Sequence, residues 1–305
     1  MTRTRSARAV GRAAPGAVAV ALLAAVVMTL VAGRGLTASA ATAAKKSPTT
    51  STTTTSSTTT TTPGATAPLR VLVVGESQAG TVAAGSPLGQ GKHGLDAQPG
   101  LVLWDRTILG CSISTVPTFI LADGEAAKNQ CGGAGRWQQQ WTADVAATKP
   151  DVVFLMAGAR DLYDVAGFGG SVIHPGDPVW TTTYTADLRR LFGILTAGGA
   201  PLVAVKPPAC YGQDTLPGGE PQDPVRLDPA RVQAVVAAWQ SAAHATGLRL
   251  LDLDAVICPG GVADPAIRAD GVHFTAAGAD RLAPEITAAL RKAVAPPRRA
   301  TRHSR

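Results

Sequence analysis

Apolar runs alternate with helix-like segments along the chain from residue 68 onward. The apolar runs are near-continuously hydrophobic and stop at sharp turns, which is typical of buried parallel strands. The predicted strands span residues 69–75, 101–109, 152–158, 201–206 and 248–257. Helices are predicted over residues 78–84, 136–148, 182–197, 228–246 and 276–294. This alternation predicts an α/β domain, with a parallel sheet and helices on both faces.

The N-terminal 40 residues follow a different pattern. Residues 1–14 contain four Arg and no acid, and residues 16–33 form an 18-residue uncharged stretch rich in Ala, Val and Leu. A basic region before an apolar segment is typical of an export signal whose N-terminus stays in the cytoplasm, so we assign residues 15–40 to such a signal. Ala38-Ser39-Ala40 is a cleavage signature, whereas the apolar stretch also permits a membrane anchor. Both outcomes stay open.

Residues 41–67 and 293–305 flank the predicted domain, which we place at 68–292. Positions 49–62 are only Thr and Ser. Such a segment cannot bury apolar surface and predicts an extended, disordered linker. The C-terminal stretch is basic and contains two prolines, and it predicts a disordered tail.

The net charge of +7 does not describe the predicted domain. Thirteen of the 28 Lys and Arg residues lie in the first 66 and the last 15 residues, and all 21 acids fall between them. The remaining 15 bases and the 21 acids lie in residues 67–290, nearly the whole of the domain, and give that part of the chain a net charge of −6. Nucleic-acid binding requires a basic face on the fold, so we predict no nucleic-acid partner. We expect the domain to be a monomer.

Four cysteines follow the export signal, and an even number in that context predicts two disulfides. Three pairings are formally possible. We favour Cys111–Cys131 and Cys210–Cys258, because Cys210 and Cys258 each follow a predicted strand. No Cys-x-x-Cys pair is present in the sequence, so the cysteines do not indicate zinc.

The first predicted strand ends in Gly75-Glu76-Ser77, after which small residues open a helix. Ligands of open α/β sheets bind outside the carboxyl ends of the strands, where the N–H groups of a helix N-terminus face an anion or oxyanion. Ser77 is therefore a candidate nucleophile. Ser is also a common helix cap, and taken alone Ser77 fits that structural role as well.

Asp270 and His273 lie three residues apart on one predicted turn near the C-terminal end of the domain. A Ser hydroxyl is a poor nucleophile at neutral pH and needs an adjacent base. That base needs a third group that fixes its tautomer. Ser77, His273 and Asp270 supply these three parts.

These motifs resemble those of the SGNH (GDSL-like) hydrolases over residues 68–292. Gly75-Glu76-Ser77 is similar to their Gly-Asp-Ser block, and Asp270-x-x-His273 is similar to their closing Asp-x-x-His block. Gly110 falls at the second-block glycine, and Gly158-Ala159-Arg160-Asp161 falls at Gly-x-Asn-Asp. The resemblance implies a flavodoxin-like three-layer α/β/α sandwich with a five-stranded parallel sheet. The chain is also similar to the SGNH domains associated with bacterial envelope acyltransferases.

Two residues depart from the family pattern. Glu76 replaces the usual Asp, and Arg160 stands where the oxyanion-hole Asn is expected. Loss of one oxyanion donor typically lowers the rate by about 10²–10³. We therefore predict an oxyanion hole formed by the backbone N–H groups of Ser77 and Gly110, with Arg160 as the substituting side chain.

Two functions follow from these observations. The first is a serine esterase or O-acyltransferase of the cell envelope, acting on an acylated carbohydrate or another ester, with no metal or cofactor. The second is a weak or inactive SGNH-like module that binds glycan or an envelope partner, which the two departures favour. The complete set of nucleophile, base and acid favours the enzyme.

Overall fold

The computed structural model describes residues 67–85, 92–133, 135–167, 170–212 and 222–296. The predicted export signal, nearly all of the linker and most of the basic tail lie outside these residues. None of the described helices has the length and apolarity needed to cross a membrane.

The described chain forms fifteen principal helices and strands. The strands are β1 (Leu69–Gly75), β2 (Leu101–Asp105), β3 (Thr118–Ile120), β4 (Ala126–Lys128), β5 (Val152–Met156), β6 (Asp164–Ala166), β7 (Val172–Ile173) and β8 (Leu202–Ala204). The helices are α1 (Ser77–Ala84), α2 (Arg136–Thr148), α3 (Pro178–Thr196), α4 (Pro224–Leu227), α5 (Pro229–Thr246), α6 (Asp254–Ile257) and α7 (Ala276–Val294).

The parallel sheet has the order β2-β1-β5-β8, with β1 and β5 at its centre. Side chains of β1 alternate between the two faces, as the period of a strand requires. Val71 and Val73 pack in the cluster that contains residues of α1 and α7, whereas Leu72 and Val74 pack with residues of α2, α3 and α5. The result is the predicted three-layer α/β/α arrangement.

The predicted fifth strand is wrong for most of its length. Residues 248–257 pair with the sheet only through an isolated parallel bridge between Val205 and Leu251, and Asp254–Ile257 is a short helix. Asp252 and Asp254 turn outward to bind Lys206, with carboxylate oxygens 2.7 and 2.6 Å from its Nζ. The acids of this run therefore end the strand that its apolar residues predict, and the parallel sheet has four strands.

A second, antiparallel sheet of order β4-β3-β6-β7 was not predicted from the sequence. Its strands are two or three residues long and lie in the segments that follow β2 and β5. Residues of β6 and of the start of α3 line an apolar cavity of about 430 Å³. Because these segments leave the carboxyl ends of the parallel strands, the second sheet shapes the surroundings of that edge.

Gly75 ends β1 at a place where no side chain fits. Its φ is +127°, and a Cβ atom there would lie 2.0 Å from the carbonyl oxygen of Met156 on the neighbouring strand. The close approach lets the chain turn directly from the buried strand into α1. This turn carries Glu76 and Ser77 to the carboxyl edge of the sheet.

Candidate active site

Ser77, His273 and Asp270 form one chain of hydrogen bonds at the carboxyl edge of the parallel sheet. Ser77 Oγ lies 2.8 Å from His273 Nε2, and His273 Nδ1 lies 2.6 Å from Asp270 Oδ2. Because a carboxylate only accepts, Nδ1 carries the imidazole proton and Nε2 is left to accept the Ser77 hydroxyl proton. Ser77 is the first residue of α1, with Glu76 rather than Ser77 at the N-cap position. Its hydroxyl therefore faces the imidazole rather than capping the helix.

The turn at residues 270–273 fixes the acid against the base. Asp270 Oδ1 accepts the backbone N–H groups of Val272 and His273 at 2.9 and 2.7 Å. Partial burial acts to raise the pKa of Asp270, but the bonds from the His273 ring and these N–H groups outweigh burial and hold the pKa well below its usual value. The acid is ionised at neutral pH and can stabilise an imidazolium. The side chains of His273 and Asp270 are 36% and 42% exposed, so a substrate can reach them.

Buried polar residues of α1 attach this turn to the serine. Gln78 Nε2 donates to the Val272 carbonyl at 3.3 Å, and the Phe274 N–H donates to Thr81 Oγ1 at 3.2 Å. Both side chains have no solvent exposure. The sequence motifs predict no role for these two residues, although polar residues on the buried face of a helix are a signal that such contacts exist.

Gly110 lies on the loop after β2, and α2 fixes that loop. Trp141 Nε1 donates to the Arg106 carbonyl at 2.9 Å and Trp137 Nε1 donates to the Ile113 carbonyl at 3.1 Å, on either side of Gly110. Among the described residues, neither the Ser77 N–H nor the Gly110 N–H donates to another protein group. Both donors are therefore available to an oxyanion.

Glu76 connects the serine turn to the segment after β5. Its side chain is buried, and Oε1 accepts the Ala159 N–H at 2.7 Å, across 83 residues of sequence. Burial, with the nearby Asp161 charge, raises the pKa of Glu76 to about 7, although the Ala159 N–H, Arg160 and His273 oppose the rise. Glu76 is thus an uncharged acid at mildly acidic pH and an anion at alkaline pH.

Arg160 and Asp161 do not pair with each other. The buried Asp161 Oδ1 accepts from Ser112 Oγ at 2.5 Å and from the Ile113 N–H at 2.9 Å. The Arg160 guanidinium instead lies over the rings of Phe119 and Tyr163. Asp161 therefore fixes the loop that carries Gly110, whereas Arg160 contacts two aromatic rings.

Both disulfides have the pairing that the sequence favours. Cys111 is bonded to Cys131 beside Gly110, and Cys210 is bonded to Cys258. Disulfides persist in oxidising compartments, so the two bonds indicate an extracellular environment.

Arg268 attaches the second disulfide to the turn that carries Asp270. The buried Arg268 Nη2 donates to the Cys210 carbonyl at 2.7 Å, and the Gly271 N–H donates to the Arg268 carbonyl at 3.0 Å.

No group of three or more His, Cys, Asp or Glu side chains able to hold a metal ion occurs within the described ranges.

The family model of the GDSL-like Lipase/Acylhydrolase family matches residues 79–281, about two thirds of the chain. The chain belongs to the GDSL-like Lipase/Acylhydrolase family. Gly110, Arg160, Asp270 and His273 lie inside the matched region, and Ser77 lies two residues before it. Among curated proteins, no sequence relative of this chain was found.

Solved structures with similar folds include several esterases and lipases. A putative acylhydrolase from Bacteroides fragilis has 15% identity and a TM-score of 0.50, covering 75% of this chain and 91% of that chain. A GDSL-like lipase from Bacteroides thetaiotaomicron has 16% identity and a TM-score of 0.49, covering 73% and 88%. A putative arylesterase from Agrobacterium tumefaciens has 20% identity and a TM-score of 0.45, covering 74% and 99%. The first of these supports the fold described above.

Proposed function

We propose that this protein is an exported serine esterase of the cell envelope that cleaves acyl esters of a carbohydrate or a similar hydroxyl compound. The observation that carries the proposal is the continuous chain from Ser77 Oγ to His273 Nε2 and from His273 Nδ1 to Asp270 Oδ2. A base at 2.8 Å from a serine hydroxyl meets the geometric requirement for general-base catalysis.

In the proposed reaction, Ser77 Oγ attacks the acyl carbonyl carbon while His273 Nε2 takes its proton. Asp270 stabilises the imidazolium, and the free N–H groups of Ser77 and Gly110 bind the oxyanion. His273 then gives the proton to the leaving alcohol as the carbon–oxygen bond breaks. The Arg160 side chain is the proposed substitute for the family's Asn.

Water resolves the acyl-enzyme in an esterase, and a carbohydrate hydroxyl resolves it in an O-acyltransferase. The same three residues serve both reactions, so the proposal includes acyl transfer. The proposed setting is outside the cytoplasm, with residues 15–40 acting as an export signal or a membrane anchor and residues 41–67 as the linker to a monomeric domain. Two disulfides support the oxidising environment.

Labelling with a fluorophosphonate tests the proposal, because this reagent modifies activated serines. The full chain is compared with Ser77→Ala, His273→Ala and Ser241→Ala, the last of which changes an exposed serine of α5. We expect labelling in the unchanged protein and in Ser241→Ala, none in Ser77→Ala, and a large loss in His273→Ala. Absence of labelling in folded, disulfide-bonded protein contradicts the enzyme and favours the glycan-binding module.

A further inference from the structure

Arg160 presents a positive charge beside the candidate site, close enough to the buried Glu76 to oppose the rise in the pKa of that acid. No ion pair joins Arg160 to a carboxylate in the described residues, and the adjacent Asp161 carboxylate is directed at Ser112 and Ile113. Arg160 is half-buried rather than free in solvent. An unpaired guanidinium at such a position is a binding group for an anion that comes from outside the chain.

Two buried aromatic rings hold the Arg160 guanidinium in place. Its central carbon lies 5.5 Å from the centroid of Phe119 and 5.7 Å from the centroid of Tyr163. These rings are 4% and 2% exposed, so the surface beneath the cation is rigid. A guanidinium that rests on an aromatic ring keeps N–H groups at its edge, where they can bind a carboxylate or phosphate in a bidentate manner. The orientation is therefore preset for an anion.

A second arginine lies beside the same tyrosine. Asp223 Oδ2 accepts the Tyr163 hydroxyl, and the Arg226 N–H donates to the Asp223 carbonyl at 3.0 Å, so Arg226 lies one turn from the acid that contacts Tyr163. Burial raises the pKa of Tyr163, and the positive charges of Arg226 and Arg160 both oppose this rise. Arg226, on α4, has no carboxylate within ion-pair distance among the described residues, and its buried Nε has no hydrogen-bond partner. We call Arg160, Arg226, Phe119 and Tyr163 the arginine cluster.

Asp223 adjoins the arginine cluster through Tyr163. Asp223 Oδ2 accepts the Tyr163 hydroxyl, and its Oδ1 accepts the Val225 N–H at 3.0 Å. Its carboxylate is therefore committed to groups other than the two guanidinium groups. Glu76, which interacts with Arg160, is uncharged below about pH 7, so the two arginines and Asp223 leave a net positive charge at this place, in a domain whose overall charge is negative.

One backbone contact joins the chain beside Arg160 to the turn that carries the serine. The residue before Arg160 donates its N–H to Glu76, and Glu76 is the residue before Ser77. We propose that the arginine cluster binds an anionic group, a carboxylate or a phosphate, on the ester substrate whose cleavage is proposed for Ser77. The preferred substrates are accordingly acyl esters of acidic compounds, such as acylated uronic acids or acylated sugar phosphates, rather than neutral esters.

A matched pair of esters tests this preference. The full chain is assayed with 4-acetoxybenzoate and with its uncharged methyl ester, and the result is the ratio of the two kcat/KM values. We expect Arg160→Gln to lower the ratio of charged to uncharged substrate at least about tenfold, mainly through KM, because hydrogen bonds to charged groups are lost. Arg226→Gln is expected to lower the ratio of charged to uncharged substrate by a smaller factor. Any contribution of Arg160 to the oxyanion hole cancels in the ratio.

Arg189→Gln is the control, because it removes the same charge from an exposed position on α3. The ratio should stay within about twofold of the unchanged protein, since surface charges far from a site act weakly. An unchanged ratio in both Arg160→Gln and Arg226→Gln overturns the proposal.

A binding experiment decides the question even if neither ester is cleaved. Ser77→Ala protein is titrated with glucuronate, glucose 6-phosphate and glucose by calorimetry. We expect tighter binding of at least one charged sugar than of glucose, lost on adding Arg160→Gln, and the comparison separates a carboxylate from a phosphate ligand. If both charged sugars bind no better than glucose, the arginine cluster is not an anion site. Failure of the proposed esterase shows instead as absent fluorophosphonate labelling.

Discussion

The candidate site has two halves that are built in different ways. The histidine half consists of Ser77, His273 and Asp270, which are partly exposed and joined by short hydrogen bonds between side chains. The glutamate half consists of Glu76, Gly110, Ala159 and Arg160. In this half the Ala159 N–H donates to the buried Glu76 side chain, and the Ile108 N–H, on the loop that carries Gly110, donates to the Gly75 carbonyl at 2.9 Å. In the proposed mechanism, the first half contains the groups that move protons, and the second contains the groups that define where an oxyanion or substrate lies.

The difference indicates which half tolerates substitution. In the histidine half each atom has a specific donor or acceptor role, so a conservative change reverses a hydrogen bond. In the glutamate half Glu76 acts through a contact that another acceptor can replace, and a backbone N–H is supplied by any residue other than proline. This tolerance is consistent with Glu and Arg standing at the two family positions in this half.

Asp270→Asn is expected to have the largest effect on activity. An Asn amide that donates to His273 Nδ1 forces the proton onto Nε2, which then cannot accept from Ser77. The expected loss in kcat/KM on a p-nitrophenyl ester is about 10³–10⁴-fold.

Asp280→Asn is the matched control for this change. Asp280 forms an exposed pair with His93, with 2.9 Å between the carboxylate and Nδ1, outside the histidine half. Near-unchanged activity is expected there. Equal losses in both variants would mean that the Asp270 contact has no special role.

Glu76→Gln is expected to change the pH dependence of stability. The folded chain holds the Glu76 proton up to about pH 7, against an ordinary carboxyl pKa of 4.5. Relative to Glu76→Gln, the free energy of unfolding of the unchanged protein should therefore fall as pH rises from about 4.5 to about 7, by up to about 3 kcal/mol. Urea unfolding at several pH values measures this difference.

Activity should follow the same titration. Above about pH 7 the anion at Glu76 lies next to the proposed oxyanion, so kcat/KM of the unchanged protein should fall relative to Glu76→Gln. The groups whose charges act on Glu76 are Asp161, Arg160 and His273. Glu285→Gln, at an exposed position of α7, should show neither effect. If the ratio of kcat/KM between the unchanged protein and Glu76→Gln stays constant from pH 5 to 9, titration of Glu76 in this range is ruled out.

Gly110→Ala is expected to have the smallest effect. The φ of Gly110 is +68°, and a Cβ atom there would lie 3.3 Å from Cγ of Gln130, a side chain that can move. The left-handed backbone costs a non-glycine residue about 1–2 kcal/mol, while the N–H group is kept. We expect a lower thermal midpoint and a less than tenfold loss in kcat/KM. A loss above 100-fold in folded protein would show that this half is as intolerant as the histidine half.

The sequence predicts the central layer and its covering helices well, because those elements have strong patterns. The predicted bounds of β1, α2 and α7 are the same as the observed bounds. The prediction of a strand over residues 248–257 is wrong for most of its length because Asp252 and Asp254 form ion pairs with Lys206. No local sequence pattern reveals such ion pairs. The antiparallel sheet was missed because strands of two or three residues are too short to show a period.

The site divides in the same manner. Ser77, Asp270 and His273 are recognisable because the chemistry dictates their residue types and two of them share one turn. The bond from Ala159 to Glu76 spans 83 residues and uses a backbone group, so residue type says nothing about it. The contacts of Gln78, Thr81 and the two tryptophans of α2 were missed for the same reason.

Ser77 and His273 lie 196 positions apart in the sequence, and this separation has a consequence for the folding of the newly made chain. The nucleophile is made near the start of the domain and its base near the end, so a chain emerging from the ribosome or the export channel holds a serine without a base. Contacts at such separation form late in folding, since the loop between them must close first. The proposed activity should therefore be among the last properties to appear as the domain folds. For the proposed exported esterase, this order places activity after translocation, because only the complete domain brings His273 to Ser77.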